Sequence, residues 1–106
     1  MDRKQELEAI FADLDEKPRA LVAQVIEEVV FLEKRLEELK QMPFLRVHPA
    51  RPELQKVTPA AKQYKELSQT YVNDIKVLQK ALGAKGAAEK ENKLLGWLRR
   101  NLGDDD

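Results

Sequence analysis

The sequence predicts an all-α protein built on a long antiparallel helical hairpin, with a short N-terminal helix and a tethered C-terminal helix. Charged residues make up 36% of the 106 residues and aromatic residues 6%, a balance typical of long helices with solvated faces. Apolar residues recur at spacings of three and four along two segments of similar length, which indicates two long helices. Prolines cluster between these segments, where a hairpin has to turn.

The composition excludes several classes of protein. The chain has no cysteine and one histidine, so disulfide frameworks, thiolate metal sites and clusters of histidine ligands are excluded. It has no glycine-rich phosphate loop and no nucleophile elbow. We therefore expect no enzyme activity, no cofactor, no bound metal and no small-molecule substrate. No apolar run approaches the roughly 20 residues of a membrane span, and the N-terminus lacks the apolar stretch of a signal peptide, so we expect a cytoplasmic protein without membrane contact.

Charges are balanced overall but unevenly distributed. The 19 basic and 19 acidic side chains cancel. Residues 1–41 have a net charge of −4, whereas residues 46–65 have a net charge of +4. A positive stretch of this kind favours contact with polyanions, so the middle of the chain is the region to examine for such a partner.

The first predicted helix is short and covers about residues 2–14. Its apolar side chains fall at i, i+3, i+4 and i+7, on one helix face: Leu7, Ile10, Phe11 and Leu14. Asp15 is expected to cap the next helix, and Pro18 suits its first turn, where a missing N–H loses no hydrogen bond. A tight turn between two helices is therefore predicted here.

The second predicted helix, residues 16–41, has the strongest apolar pattern. Its stripe alternates spacings of three and four, as in a coiled coil: Val22, Val25, Val29, Leu32, Leu36 and Leu39. The stripe is wide in the first half of the helix and narrow in the second half, where charges surround it. Since a narrow stripe needs a partner surface, we expect a homo-oligomer with this interface: Val29, Leu32, Leu36 and Leu39.

The proline-rich segment 43–58 is predicted to be a loop without a helix, because residues that precede proline avoid the α conformation. Thr58 as N-cap and Pro59 at the first helical position then start a third helix, residues 59–82. This helix matches the second in length, and two such helices pack best antiparallel. Residues 1–83 are therefore expected to form one helical hairpin domain.

The remainder of the chain is predicted to be a tethered helix. Residues 84–93 are predicted to be a linker, because the run GAKGAAEKEN at residues 83–92 has two glycines among small and charged residues. Residues 94–103 form a short amphipathic helix, followed by an acidic tail. Because so short a helix is unstable alone in water, we expect it to dock on a partner rather than on its own hairpin. The docking residues are Leu94, Trp97, Leu98 and Leu102.

A candidate nucleic-acid site lies in the electropositive middle of the chain. Phosphate contacts from basic side chains are independent of base sequence and sensitive to salt. The candidate residues are Arg46, His48, Arg51, Lys56, Lys62 and Lys65. A solvated polar loop is the alternative interpretation. A rival DNA site is a helix-turn-helix formed by the first two helices, in which Lys17, Arg19 and Gln24 would face the groove.

Residues 43–83, PFLRVHPARPELQKVTPAAKQYKELSQTYVNDIKVLQKALG, resemble small terminase-subunit-like proteins of tailed phages and prophages of low-GC Gram-positive bacteria. The resemblance lies in three places. The proline loop carries His48, Pro49 and Pro52, and the third helix starts with the run Thr58–Tyr64. Further along this helix are Tyr71, Asn73, Lys76 and Leu78. It implies a non-catalytic DNA-packaging accessory that oligomerises through a helical hairpin and binds duplex DNA, the large terminase subunit or both. The chain differs from better-known members in lacking a basic reading helix near its N-terminus.

Two functions therefore remain open from the sequence. The first is the DNA-packaging accessory, which the basic segment and the resemblance favour. The second is a coiled-coil structural and interaction module that scaffolds a protein partner without touching nucleic acid, which the zero net charge favours. Salt-dependent binding to duplex DNA distinguishes the two.

Overall fold

The computed structural model describes residues 2–83 and 87–101. Most of this part is helical, with one small two-stranded sheet. The elements in chain order are α1 (Arg3–Ile10), α2 (Glu16–Lys40), β1 (Leu45–Val47), β2 (Gln55–Val57), α3 (Pro59–Ala81) and α4 (Ala87–Asn101). The molecule is elongated and measures 60 × 31 × 24 Å.

The two long helices α2 and α3 begin and end within one residue of their predicted bounds. They run antiparallel: Arg35 binds Gln63 at one end of the pair, and Glu33 accepts a hydrogen bond from Tyr71 nearer the middle. Thr58 caps α3 by accepting a hydrogen bond from the Ala61 N–H at 3.2 Å. The apolar periodicity and the start signals of these helices were therefore sufficient to locate them.

The prediction of a purely helical protein is wrong for the segment between α2 and α3. Residues 45–47 and 55–57 form an antiparallel β-hairpin, in which Leu45 pairs with Val57 and Val47 with Gln55. The prolines do break the helix, as expected, but Pro49 and Pro52 lie in the connection between the strands, where a missing N–H costs no ladder hydrogen bond. We call residues 44–58 the ribbon.

The first helix is shorter than predicted. It ends at Ile10, and residues 11–14 form turns that carry the chain to α2. Asp2 starts the helix with a capping box, in which its side chain accepts from the Gln5 N–H and the Gln5 side chain accepts from the Asp2 N–H. Asp15 precedes α2 but makes no side-chain capping bond, contrary to the prediction. Phe11 remains buried although it has left the helix.

The C-terminal helix is neither tethered nor free to dock elsewhere. It begins at Ala87, so the predicted linker is helical over residues 87–93, while residues 84–86 lie outside the described part. Leu94 and Trp97 are fully buried in the same core as Leu7 and Phe11, and Leu98 packs against that core. The docking prediction is wrong because the core of α1, α2 and α3 leaves a place that the indole ring fills. Leu102 and the acidic tail lie outside the described residues.

The predicted oligomer interface is also wrong. Val29, Leu32 and Leu39 are buried within the single chain, and Leu36 is half-buried. The prediction assumed that a narrow stripe on α2 exceeds what one partner helix covers. In the structure α3 packs along α2, while α1 and α4 cover the adjoining side. These side chains therefore stabilise the protomer and offer no seam to a second copy.

One buried carboxylate connects all four helices. Glu33 lies on the second half of α2, where the sequence indicated a solvated charge, yet its side chain is 8% exposed. Arg3 of α1 binds both Glu33 carboxylate oxygens at 2.8 Å, and the Tyr71 hydroxyl of α3 donates to Oε2 at 2.6 Å. The guanidinium lies 3.8 Å from the centroid of the Trp97 ring. We call these four residues the Glu33 network.

Further hydrogen bonds join Arg3 and Trp97 within the Glu33 network. Arg3 Nη1 donates to the Trp97 carbonyl at 2.9 Å, and the Trp97 indole N–H donates to the Arg3 carbonyl at the same distance. Burial, and then the hydrogen bond to Glu33, raise the pKa of the Tyr71 hydroxyl well above its usual range, so the hydroxyl stays a donor. A buried ion pair with its remaining donors and acceptors paired avoids the cost of an isolated buried charge.

A second carboxyl contact between α2 and α3 lacks such a partner. The carboxyl groups of Glu28 and Asp74 lie within hydrogen-bond reach of each other. Burial, and then the contact with Glu28, raise the pKa of Asp74 from 3.8 to about 6. Asp74 Oδ2 is buried with no hydrogen-bond partner when both groups are charged. One shared proton would satisfy the pair, so the contact is favourable in acid and unfavourable at neutral pH.

Removing the charge of Glu33 should destabilise the fold strongly. The Glu33→Gln substitution leaves Arg3 largely buried without a counter-charge, which we expect to cost about 3 kcal/mol. For a domain of this size this corresponds to a decrease of roughly 10–20 °C in the midpoint of thermal unfolding, measured by circular dichroism. The matched control is Glu37→Gln, whose exposed pair with Lys40 spans 3.9 Å and should contribute less than about 0.5 kcal/mol. Equal midpoints for the two variants would contradict a structural role for Glu33.

Asp74 should impose a specific pH dependence on stability. Because its folded-state pKa is raised, the folded protein holds the proton more tightly than the unfolded chain between pH 4 and about 6. The contribution is therefore present at low pH and is lost as pH rises through this window. We expect Asp74→Asn to be more stable than the parent at pH 7 and equal to it near pH 4, in urea titrations. Glu66→Gln, an exposed carboxyl on the same helix, should leave the parent's pH profile unchanged.

Candidate nucleic-acid interface

The register of the ribbon places its residues on two faces. Backbone hydrogen bonds join Thr58 N–H to the Phe44 carbonyl at 3.1 Å and His48 N–H to the Leu54 carbonyl at 3.0 Å. Arg46 and Lys56 are paired directly between these two positions. Since side chains of directly paired residues share a face and alternate along each strand, the arginine and the lysine lie on one face of the ribbon.

Arg46 and Lys56 form the centre of the candidate site. Like charges directly opposite each other on two strands repel, so this pair weakens a hairpin that is already short. Both side chains are exposed, and within residues 2–83 and 87–101 neither makes an ion pair. A bound anion between them would relieve the repulsion. The sequence predicted both residues, but the cross-strand pairing required the structure.

Two further predicted cations lie where the ribbon meets the helical body. Lys62 and Lys65 are exposed on the first two turns of α3, and the described side chains include no ion-pair partner for either. The Phe44 and Tyr64 rings pack with centroids 5.2 Å apart and planes inclined at 48°. This aromatic contact attaches the base of the ribbon to the same turns of α3 that carry the two lysines.

Thr58 closes the base of the ribbon. Its hydroxyl donates to the Pro43 carbonyl at 2.7 Å and accepts from the Ala61 N–H at 3.2 Å. The residue is buried, with 6% of its surface exposed. One side chain thus caps α3 and holds the entry of β1 next to the exit of β2. The sequence predicted the cap, whereas nothing in it indicated the second bond.

The other two candidates, His48 and Arg51, have structural partners within the ribbon. The Nδ1 atom of His48 accepts from the backbone N–H groups of Ala50 and Arg51 at 3.1 and 3.2 Å, which shapes the turn between the strands. The Arg51 guanidinium binds Glu53 at 2.9 Å. The structure therefore brings Arg46 and Lys56 together as unpaired cations and assigns His48 and Arg51 to the turn.

The rival helix-turn-helix site is less suited to binding DNA. Arg19 donates to the Ala12 carbonyl at 3.3 Å and so helps to close the turn between α1 and α2. Lys17 and Gln24 are exposed, but Glu16 and Glu27 lie on the same helix. Repulsion from these carboxylates opposes the approach of a phosphate backbone.

A separate groove of about 950 Å³ lies beside the Glu33 network, between the start of α1 and the pair α2 and α3. Its walls carry both signs of charge, including Lys34, Lys40, Glu37 and Glu38. Because these charges are mixed, the groove shows no preference for an anion. Among residues 2–83 and 87–101 there is no group of three histidine or acidic side chains that could hold a metal ion.

Comparison with protein-family models, with curated proteins and with solved structures finds no match for this chain. Among the described residues, no helix has the length and apolar character needed to cross a membrane.

Thr58 should be more important to stability than an ordinary helix threonine. Thr58→Ala removes the cap of α3 and leaves the Pro43 carbonyl without its donor, which we expect to cost about 1–2 kcal/mol. Thr70→Ala is the matched control, since its hydroxyl bonds to a carbonyl one turn back on α3. Thermal unfolding followed at 222 nm should show a decrease of the midpoint for Thr58→Ala alone. A similar decrease for both variants would mean that the ribbon base does not depend on Thr58.

Proposed function

We propose that this protein is a non-catalytic accessory of phage DNA packaging that binds the phosphate backbone of duplex DNA through the ribbon. The observation that carries the proposal is the pairing of Arg46 directly opposite Lys56, on an exposed ribbon, with no carboxylate bound to either in the described residues. Such an arrangement is unfavourable in the free protein and becomes favourable when a phosphate binds between the cations.

The shape of the ribbon suits this role. Two-stranded ribbons enter or follow the grooves of DNA in several groups of DNA-binding proteins. Lys62 and Lys65 extend the positive charge from the ribbon onto the helical body, and the Phe44–Tyr64 contact holds the two parts together. Backbone contacts of this kind supply affinity and position rather than base specificity. We expect binding that depends strongly on salt and weakly on sequence.

The biological setting comes from the resemblance to terminase small subunits. An accessory that binds DNA without reading bases needs a second partner to give it a location, and the large terminase subunit is the partner that the resemblance implies. Binding to this subunit is a proposal independent of the DNA contact. It requires no catalytic residue in this chain.

One observation favours the alternative function, a structural module that binds another protein. The face of the ribbon opposite Arg46 and Lys56 carries Leu45, Val47 and Val57, which are 51%, 50% and 56% exposed. Exposed aliphatic side chains on adjacent strands form a surface that another protein would cover. The two functions use opposite faces of the same ribbon and are therefore separable by mutation.

Removing the paired cations should reduce both the affinity for DNA and its salt dependence. With Arg46 and Lys56 both changed to glutamine, the slope of log affinity against log salt should become shallower by about two, one for each phosphate contact. Binding is measured by fluorescence anisotropy on two unrelated duplexes at several salt concentrations. The loss should be equal for both duplexes.

Two controls make this test decisive. Arg51→Gln removes a cation that is already paired with Glu53, so it should change the slope little. A variant with Lys17 and Arg19 both changed to glutamine tests the rival site at the start of α2. Damage confined to this last variant would assign DNA binding to α1 and α2. A parent protein without salt-dependent binding would leave the protein-binding module as the function.

A further inference from the structure

One long face of the α2–α3 pair is left open by the rest of the molecule. α1 and α4 pack on the side of the pair that carries Glu33 and Tyr71. The opposite side is marked by the contact of Glu28 with Asp74 and by that of Arg35 with Gln63. Leu21 and Phe31 of α2 remain largely exposed on that side. We call it the open face.

Apolar side chains on the open face lie where a third helix would contact them. Leu21 and Phe31 flank Glu28 along α2 at spacings of seven and three, and Val77 follows Asp74 on α3 after three residues. These spacings keep the residues on one side of each helix. Leu21 is 69% exposed, Phe31 63% and Val77 47%. Two adjacent antiparallel helices with large exposed apolar groups along one side offer a surface on which an amphipathic helix can pack.

The charge at the centre of this face determines what kind of helix fits. The carboxyl groups of Glu28 and Asp74 meet between the two helices, and Asp74 Oδ2 is buried without a hydrogen-bond donor in the described part of the chain. Arg35 lies seven residues after Glu28 on the same side of α2, but it is already bound to Gln63 at 2.8 Å and to Glu38 at 3.8 Å. Among the described residues the two carboxylates therefore lack a positive partner, and a guanidinium or ammonium group from outside would supply it at the exposed Glu28.

We propose that the open face binds a basic amphipathic helix of another protein, with apolar side chains against Leu21, Phe31 and Val77 and a cationic side chain beside the contact of Glu28 with Asp74. The carboxylates repel nucleic acid, so this face is distinct from the DNA site on the ribbon. A second copy of the chain is a poor occupant. The apolar side of α4, the helix with a basic last turn, is buried in its own core.

The unfavourable contact is consistent with a binding surface. Two facing carboxylates reduce the stability of the free protein at neutral pH, and a change to asparagine at position 74 would remove the penalty. Positions that violate a local rule of stability in this way are concentrated at functional sites. The same contact that destabilises the free protein then provides selectivity for a cationic partner.

Synthetic peptides test the proposal on the full-length protein. Three amphipathic helices of roughly 20 residues, long enough to be partly helical in water, share one leucine face and differ at a central position that carries arginine, glutamine or glutamate. Isothermal titration at pH 7.5 measures their dissociation constants. We expect the arginine peptide to bind at least ~10-fold more tightly than the glutamate peptide, with glutamine between them.

Variants of the protein locate the binding site. Phe31→Ser should weaken all three peptides by ~10-fold or more, because it removes a large part of the apolar contact. Val72→Ser is the matched control, since Val72 is an exposed valine that lines the groove on the other side of α3. The double change Glu28→Gln and Asp74→Asn should make the three peptides bind equally while leaving the leucine-face contribution intact.

Several results would overturn the proposal. These are the absence of binding by all three peptides, equal affinity of the three for the parent, and sensitivity to Val72→Ser in place of Phe31→Ser. Circular dichroism confirms that each variant is folded before titration, and Asp74→Asn guards against misfolding because it should raise stability. The DNA affinity of Phe31→Ser should equal that of the parent, so failure of the peptide test leaves the proposed DNA function untouched.

Discussion

The buried carboxylate of Glu33 is the constraint on which the rest of the fold depends. A carboxylate that is removed from water needs a counter-charge and donors for both oxygens. α2 and α3 supply one donor, the Tyr71 hydroxyl, and the guanidinium has to come from elsewhere. Arg3 provides it, and this fixes α1 across the helix pair. Trp97 then covers the guanidinium and bonds with the backbone of Arg3, which fixes α4 against α1.

The long helices could be predicted from the sequence because their evidence is local and repeated. A stripe of apolar residues over about five turns of α2 tolerates an irregular position. Thr58 as N-cap and Pro59 at the first helical position mark the start of α3, and Gly83 follows its end. Gly83 takes the left-handed conformation expected after a helix, with φ of 68°. What the pattern does not contain is which element covers which stripe. For that reason the buried leucines of α2 were assigned to a second copy instead of to α3.

The errors at the C-terminus and in the ribbon have different causes. Residues 84–93 are polar and contain a glycine. This composition fits the exposed first turns of a helix such as α4 as well as it fits a linker. The burial of Trp97 depends on Arg3, more than ninety residues away, and no local rule links them. In the ribbon, strands of three residues are too short for a periodic signal, and the prolines dominated the interpretation. The sequence named the basic candidates together, but their division into paired and unpaired cations follows from the turn, where Arg51 binds Glu53.

The attachment of the ribbon has a consequence for the motions of the molecule. Its described links to the helical body are concentrated at Thr58 and at the Phe44–Tyr64 contact, and both strands are exposed along their length. The ladder amides can therefore open without disturbing the Glu33 network, whereas amides in the middle of α2 become accessible only when the whole domain unfolds. Hydrogen exchange should separate these two units by their opening free energies. A ligand bound across both strands would raise the opening free energy of the ribbon amides toward that of the amides in the middle of α2.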